Sequence, residues 1–216
     1  MIYVAFSDID IIPDSELGFY LSLLPRERAL EISKYKFIKD KKARLLASLL
    51  LRNAIFNTTG SDKPMHNLRK SIYGKPFIDG WNSFSISHSG NKVCIAYSIH
   101  SIGIDIENIR DIGYPINMSF FHKNERIFLK SSNDIGKAFF TIWTKKEALL
   151  KADGTGLINE LSLIDCSKDK IVYKANSWHF YNHNLYENYV FNLCSSINST
   201  SNSVQVFQYT RLTEFV

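Results

Sequence analysis

The chain has 216 residues, of which 45% are hydrophobic and 22% are charged, and its formal net charge is +5. These values are typical of a soluble globular chain with one large domain or two small ones, and no apolar run is long enough to predict a membrane span. Its three cysteines, Cys94, Cys166 and Cys194, are widely spaced and odd in number, which argues against a disulfide framework or a zinc site and favours a reducing cytoplasm.

The first half of the chain is predicted to combine strands with helices. Its opening residues, MIYVAFSDID, contain acids too early for a signal peptide and favour a strand. The clearest helix begins at Asp40, because apolar residues from Leu45 to Phe56 recur at helical spacing and Gly60 then provides a stop. The elements predicted here are strands at residues 2–7, 84–87 and 92–99 and helices at residues 14–24, 25–34 and 40–57.

The second half repeats this order of strand, long helix and further strands. Its long helix is predicted to end at the turn formed by Gly154 and Gly156, and a polar turn is expected at residues 195–203. The predicted elements are strands at residues 102–107, 162–164, 171–175, 189–194 and 204–209 and helices at residues 125–129 and 135–152. This order predicts an α+β fold with a topological echo between the two halves.

Two acidic clusters lie about forty residues apart in the sequence. Asp105 and Glu107 are two residues apart in an apolar run, so on a strand both carboxylates leave the same face. Trp143, Glu147 and Lys151 follow one another at intervals of four residues, which places them on one stripe of a helix. Three carboxylates and a lysine that converge would suit a divalent cation bound to phosphate, above all Mg²⁺. The alternatives are a solvated strand face and an ordinary amphipathic helix.

Four motifs in this order resemble the Sfp-type 4′-phosphopantetheinyl transferases, the enzymes that activate carrier proteins. They are Tyr-Gly-Lys-Pro at 73–76, Ile-Ser-His-Ser-Gly at 86–90, Gly-Ile-Asp-Ile-Glu at 103–107 and Trp-Thr-x-Lys-Glu-Ala-x-x-Lys at 143–151, with a looser match from Asp40 to Arg52. The resemblance implies two similar α+β lobes related by pseudo-two-fold symmetry, with the ligand in the cleft between them. We place the N-terminal lobe at residues 1–101 and the C-terminal lobe at residues 102–216.

The resemblance also implies a reaction and a set of catalytic residues. The phosphopantetheine arm of coenzyme A is transferred to a serine of an apo acyl or peptidyl carrier protein, and 3′,5′-ADP is released. Asp105, Glu107 and Glu147 match the magnesium ligands, with Mn²⁺ as a possible substitute. Glu147 is our candidate general base, and Lys151 is expected to hold a pyrophosphate oxygen. For Lys151 the alternative is a structural lysine favoured near a helix C-terminus.

Further residues match the coenzyme A site of this family. Lys75 and Pro76 match the wall of the adenine pocket, where Gly74 allows a close backbone approach, although Gly-Lys-Pro also suits a plain turn. The other matches are Ser87 and His88, expected at phosphate oxygens, and Arg28 and Arg44, expected at the 3′-phosphate. A lone histidine at a strand end is more often structural, but within Ile-Ser-His-Ser-Gly the phosphate contact is the favoured reading of His88. Glu31 stands where some relatives have a lysine, and the match to the family is loose before Asp40. The alignment of Arg28 with the family is therefore less firmly supported than that of Arg44.

The expected macromolecular partner is an acidic carrier protein. The segment from Arg110 to His122 contains apolar residues that match the carrier-facing stretch of the family, although a core helix is the simpler reading; these residues are Ile112, Tyr114, Met118, Phe120 and Phe121. The basic residues between Arg26 and Arg44 have few aromatic residues among them, so we expect no nucleic-acid partner. A monomeric enzyme without a membrane partner is the preferred reading.

Two other functions remain open on the sequence alone. A non-catalytic basic adaptor could bind nucleic acid or acidic proteins, but it would have no need of the acids near Glu107 and Glu147. A different Mg²⁺-dependent nucleotide hydrolase is also conceivable, but the sequence has no P-loop.

Overall fold

The computed structural model of the chain describes residues 1–113, 117–156, 160–198 and 203–215. The elements before residue 100 are β1 (Ile2–Asp8), α1 (Leu17–Ser22), α2 (Arg26–Ser33), α3 (Ile38–Thr59), β2 (Leu68–Lys70), β3 (Pro76–Ile78), β4 (Ser83–Ser89) and β5 (Lys92–Ser98). Those after it are β6 (Ile102–Asn108), α4 (Lys123–Ser131), α5 (Ile135–Asp153), β7 (Lys170–Tyr173), β8 (Asn176–Asn182), β9 (Tyr189–Ser195) and β10 (Val204–Tyr209).

The first sheet has the strand order β10-β1-β5-β4, and α3 packs against it. The α3 residues Leu45, Leu46, Leu49 and Leu50 are buried as the helical spacing predicts, while Phe56 at the end of that stripe is 52% exposed. Strand β10 pairs parallel with β1, with Ile2 opposite Val204, so the last strand returns to the first sheet. The division of the chain at residue 101 stays a prediction.

The second sheet has the order β6-β9-β8-β7, and α5 packs across β6 and β9. Gly103 makes this packing possible, because a Cβ atom there would overlap the backbone of Ala148 and Ala152. Asp134 caps the first turn of α5, and Gly154 ends the helix in the left-handed conformation with φ +81°. A glycine on the strand thus lets the Glu147-bearing helix approach β6 closely.

A buried ion pair ties α4 to α5. Glu125 and Lys146 are both 0% exposed, and their charged atoms lie 2.9 Å apart. The Lys146 ammonium also donates to the carbonyls of Leu161 and Ile164, at 2.8 and 2.6 Å. The backbone N–H groups of His122 and Cys166 donate to Glu125. Because both charges have several partners, the pair is tolerated in the interior.

The two sheets meet along β4 and β6 through side chains rather than through a backbone ladder. Every second residue of β4 is a serine, and the last three of these four serines each accept a hydrogen bond from a backbone N–H of β6 through the side-chain hydroxyl. These bonds join Ser85 to Ile104 at 3.1 Å, Ser87 to Ile106 at 3.3 Å and Ser89 to Asn108 at 3.1 Å. We call this set of contacts the serine seam. It fixes the register of one sheet against the other.

The α+β class with two similar lobes is confirmed, since two four-stranded sheets each carry a long helix. All but one of the predicted helices and strands are also confirmed, within a few residues at their ends. The exception is the strand predicted at residues 162–164, which is wrong, because Leu161–Leu163 forms a 3₁₀ helix. Strands β2, β3 and β8 were not predicted. Part of the polar turn at 195–203 lies outside the described residues. Across the described ranges, every helix is too short or too polar to cross a bilayer.

Candidate active site

The predicted acids face one cavity of about 350 Å³ between β4, β6 and α5, which we call the acidic cavity. Asp105 and Glu107 leave β6 on the same side, as their spacing predicts, and Glu147 and Lys151 face them from α5. The remaining wall is formed by Ile86, Ser87, His88 and Trp143. The structure therefore brings together the two acidic clusters that are separated in sequence.

Asp105 is the most deeply buried of these acids, at 4% exposure. Its Oδ1 atom lies 2.6 Å from the Lys151 ammonium and accepts a hydrogen bond from the Ser87 hydroxyl at 2.7 Å. Its Oδ2 atom is buried, and none of the residues that the structure describes donates a hydrogen bond to it. Burial raises the pKa of Asp105, although Lys151 and Ser87 favour the charged form. One oxygen of the Asp105 carboxylate is thus buried without a compensating hydrogen bond from the described residues.

The other two acids have different surroundings. Glu107 accepts a hydrogen bond from Ser89 at 2.8 Å and pairs with Arg110 at 3.3 Å. Burial raises the pKa of Glu147, and the negative charge of Asp105 raises it further, while Lys151 acts in the opposite direction. Glu147 therefore takes up a proton more readily than an exposed glutamate.

The described residues contain no group of three or more acidic, histidine or cysteine side chains placed to hold a metal ion as they stand. Instead, Asp105 is engaged by Lys151, and Glu107 by Ser89 and Arg110. The chemistry of the donor set nevertheless fits a hard divalent cation, because three carboxylates line one cavity and Asp105 Oδ2 is unpartnered within the described ranges. Whether Asp105, Glu107 and Glu147 bind a metal stays a prediction.

A larger cavity of about 610 Å³ lies on the other side of Ile86 and His88. Its lining includes the cationic side chains Arg28, Arg44, Arg69 and Lys70 and the imidazoles of His66 and His88. The Arg44 guanidinium lies 4.1 Å from the centre of the Tyr35 ring, and its buried Nε atom has no hydrogen-bond partner within the described part of the chain. The close packing around His88 lowers the pKa of its imidazole, and the nearby charge of Arg44 lowers it further. This cavity, which we call the cationic cavity, is suited to an anion.

A third, narrower cavity of about 220 Å³ connects the other two. It shares Gly74, Pro76 and Ile86 with the cationic cavity, and Glu147 and Lys151 with the acidic one. Because they share lining residues, the three cavities adjoin one another and form one cleft, whose acidic end lies between β4, β6 and α5.

Gly74 and Lys75 shape the wall of this connecting cavity. Gly74 has a φ of +82°, which favours glycine. The Lys75 ammonium donates to the carbonyl oxygens of Ala152 at 3.2 Å and Ile102 at 3.4 Å, and burial lowers the pKa of Lys75. Lys75 thus links the β2–β3 hairpin to the end of α5 and the start of β6.

Comparison with known proteins identifies the family. Residues 101–194 match the family model described as "4'-phosphopantetheinyl transferase superfamily", and residues 13–100 match "4'-phosphopantetheinyl transferase, N-terminal". The chain is 35% identical to the 4'-phosphopantetheinyl transferase gsp of Aneurinibacillus migulanus over 193 residues, which cover 86% of this chain and 81% of gsp. The chain belongs to the 4′-phosphopantetheinyl transferase superfamily.

Other relatives point the same way. The chain is 31% identical to the 4'-phosphopantetheinyl transferase Sfp of Bacillus subtilis over 142 residues, which cover 64% of this chain and 63% of Sfp. It is 28% identical to the mouse L-aminoadipate-semialdehyde dehydrogenase-phosphopantetheinyl transferase over 162 residues, which cover 67% of this chain and 52% of that relative. The resemblance to Sfp-type transferases is therefore confirmed, and the chain is an enzyme of the transferase class.

Within this transferase, the predicted site residues divide between the cavities. Arg28, Arg44 and His88 line the cationic cavity, while Gly74, Lys75 and Pro76 line the connecting cavity. Ser87 was expected at a phosphate oxygen, but the residue is only 6% exposed. Its hydroxyl already forms hydrogen bonds with Asp105, Lys151 and the backbone N–H of Ile106. Its predicted contact with a phosphate oxygen stays a prediction.

Sequence reasoning missed several residues of this transferase's cleft. Ser85 and Ser89 belong to the serine seam, and the alternation of serines along β4 was a signal that could have revealed them. His66, Arg69 and Lys70 join the cationic cavity from a segment without a recognisable motif.

The segment expected to face the carrier is only partly exposed. Phe120 is 43% exposed and Ile112 and Met118 are half-buried, whereas Phe121 is buried at 1% exposure. Tyr114 lies outside the described residues. Phe120 is therefore the residue of this segment best placed to meet a partner.

Proposed function

We propose that this enzyme transfers the 4′-phosphopantetheine arm of coenzyme A to a serine hydroxyl of an apo acyl or peptidyl carrier protein and releases 3′,5′-ADP. The observation that carries the proposal is the cleft, which has cationic side chains at one end and three carboxylates with a lysine at the other. Membership of the transferase superfamily supports the same reaction.

The cationic cavity would bind the nucleotide end of coenzyme A. Arg44 has a buried Nε donor without a partner among the described residues, and the Tyr35 ring holds its guanidinium in place, so it is suited to a phosphate oxygen. Arg28 and His88 line the same cavity and would contribute further positive charge or hydrogen bonds. The adenine would lie against Gly74, Lys75 and Pro76, where the left-handed conformation of Gly74 and its missing side chain would allow a close approach to the backbone.

The pyrophosphate would then reach the acidic cavity. Asp105, Glu107 and Glu147 would hold a Mg²⁺ or Mn²⁺ ion, which would neutralise negative charge on the pyrophosphate oxygens. The Lys151 side chain is 30% exposed and faces this cavity, so its ammonium could contact a pyrophosphate oxygen from the Asp105 side. Its ion pair with Asp105 also keeps the ammonium in a fixed position.

The chemical step requires a base for the carrier serine. As the serine oxygen forms a bond to the phosphorus bearing pantetheine, the bond from that phosphorus to the bridging oxygen breaks, and 3′,5′-ADP leaves with the electron pair. Glu147 would accept the serine proton, directly or through water, because burial and Asp105 raise the pKa of its carboxylate and so strengthen it as a base. Metal ligation by the same carboxylate would compete with this role.

The carrier would approach past Phe120, on the side of the cleft formed by α4 and α5. The Phe120 ring lies 6.4 Å from the Trp143 ring, which lines the acidic cavity, so a partner on Phe120 would be close to the reacting groups. An acidic carrier would suit the net charge of +5. We further propose a monomeric enzyme in the cytoplasm, and the three free, buried cysteines agree with that location.

The decisive experiment incubates the protein with coenzyme A, Mg²⁺ and several purified apo carriers, and then measures the mass of each carrier. The expected result is a mass gain of one phosphopantetheine group on one serine, and the loss of that gain when a chelator is present or when Glu147 is changed to alanine. If all of the carriers stayed unmodified in every mixture, the proposed transfer reaction would be rejected. Full modification in excess chelator would reject the metal assignment alone.

A further inference from the structure

Two carboxylates, those of Glu27 and Glu31, line the cationic cavity, and the second is paired with its cations. Glu31, on α2, pairs with the Arg28 guanidinium at 2.6 Å and with the Lys70 ammonium at 3.3 Å. All three side chains line the cavity. Burial by itself would raise the pKa of Glu31, but the hydrogen bonds and charges of Arg28 and Lys70 lower it below its usual range. Glu31 is therefore an anion held between two cations.

Arg28 and Arg44 consequently differ in their availability. Arg28 uses its Nε atom for Ser48 at 2.9 Å and a terminal nitrogen for Glu31. Arg44 has no ion pair among the described residues, and its Nε atom has no acceptor. A phosphate that enters the cavity can bind Arg44 directly. To bind Arg28 and Lys70 as well, it must displace the Glu31 carboxylate or lie beside it.

We propose that Glu31 sets the specificity of this enzyme for the 3′-phosphate of its donor, because its carboxylate occupies Arg28 and Lys70 and so reduces the preference for coenzyme A over 3′-dephospho-coenzyme A. The inference rests on the proposed function, which places the nucleotide in this cavity. Phosphate and carboxylate compete for the same guanidinium and ammonium donors. Since the two charges are alike, Glu31 also repels a phosphate that binds next to it.

The size of the effect follows from the exposure of the two pairs. The side chains of Arg28, Glu31 and Lys70 are 18%, 42% and 64% exposed, so water screens both pairs and neither is strong. Releasing Arg28 and Lys70 should therefore change the affinity for the 3′-phosphate by about threefold to tenfold, the range expected for one or two partly exposed charge contacts.

The test compares Glu31→Gln with Glu27→Gln. Glu27 lies one turn earlier on α2 and lines the same cavity, so both variants lose one negative charge from it, but the ion pair with Arg28 belongs to Glu31. Isothermal titration calorimetry at low ionic strength would give the dissociation constants of the wild type and both variants for coenzyme A and for 3′-dephospho-coenzyme A. The measured quantity is the ratio of these two constants. A third variant, Glu31→Lys, extends the series.

We expect Glu31→Gln to raise the preference for coenzyme A by about threefold to tenfold, Glu31→Lys to raise it further, and Glu27→Gln to change it by less than about twofold. An unchanged ratio in Glu31→Gln would overturn the inference, as would a lower one, which would mean that Glu31 orients Arg28 for the ligand. Equal increases in both glutamine variants would also overturn it, since long-range charge would then account for the effect. A wild type that binds neither ligand would instead reject the proposed function.

Discussion

Replacing Ser87 by alanine should lower both the stability of the fold and the rate of catalysis. The Ser87 hydroxyl donates to Asp105 Oδ1 at 2.7 Å and lies 3.1 Å from the Lys151 ammonium and 3.3 Å from the Ile106 N–H. It thus contacts two residues of the acidic cavity and also forms one of the hydrogen bonds of the serine seam. Alanine removes all three contacts without adding bulk.

The three lost contacts determine how far Ser87→Ala should lower the free energy of unfolding and kcat. Loss of the hydroxyl leaves the buried Ile106 N–H without this acceptor, at a cost of about 1–3 kcal/mol. Asp105 loses a charge-assisted hydrogen bond, worth about 1.5–3 kcal/mol, but keeps Lys151. Because neighbouring effects do not add fully, we expect the free energy of unfolding to fall by about 2–4 kcal/mol. If Asp105 then rotates in its cavity, kcat should fall by about tenfold to a hundredfold, with the KM for coenzyme A nearly unchanged.

The matched control is Ser98→Ala on the neighbouring strand β5. Ser98 is also buried, and its hydroxyl donates to the Met1 carbonyl at 3.2 Å and accepts from the His100 N–H at 3.2 Å, away from the acids. Urea unfolding would measure the stability of both variants, and steady-state transfer to a carrier would measure kcat and KM. If Ser87→Ala lost stability but kept the kcat of Ser98→Ala, the proposed orientation of Asp105 by the seam would be refuted.

Further predictions concern packing, the buried ion pair, the donor and the carrier. Gly103→Ala should destabilise the fold or displace α5, because its Cβ would overlap the Ala148 backbone; wild-type urea unfolding and activity would contradict this. Glu125→Ala should lower the free energy of unfolding by about 3–5 kcal/mol, since it leaves an unpaired buried ammonium, and a change below about 1 kcal/mol in urea unfolding would contradict it. Arg44→Ala should weaken coenzyme A binding by about 1–3 kcal/mol and dephospho-coenzyme A binding less, as measured by calorimetry; equal losses would remove Arg44 from the 3′-phosphate. Phe120→Asp should raise the KM for the carrier and leave coenzyme A affinity nearly unchanged, whereas wild-type carrier kinetics or a misfolded protein would contradict a docking role.

The sequence correctly predicted those structural features that follow from the periodicity of one helix or one strand. The helical spacing of Leu45 to Leu50 located α3, and the two-residue spacing of Asp105 and Glu107 placed both carboxylates on one side of β6. The four-residue spacing of Glu147 and Lys151 likewise placed both on the cavity side of α5. In each case, the contact that matters is fixed by the geometry of a single helix or strand.

What the sequence could not reveal depends on contacts between distant segments. Lys145 and Lys146 look like a solvated helical pair, yet both are buried, because Asp169 and Glu125 reach them from other parts of the chain. The strand predicted at residues 162–164 failed for a similar reason. Leu161 and Ile164 are buried, but Lys146 binds their carbonyl oxygens, and the short apolar run forms a 3₁₀ turn around its ammonium.

The serine seam links assembly of the fold to assembly of the acidic cavity. Ser87 and Ser89 each accept a backbone hydrogen bond from β6 and each donate to a carboxylate of the same strand, Asp105 or Glu107. A displacement of β4 along β6 by one residue would therefore break the backbone bonds and also turn the serines away from the acids. Because the same hydroxyl groups serve both purposes, the two sheets cannot meet correctly without orienting Asp105 and Glu107. The sheet interface itself thus orients the two carboxylates that β6 contributes to the cleft.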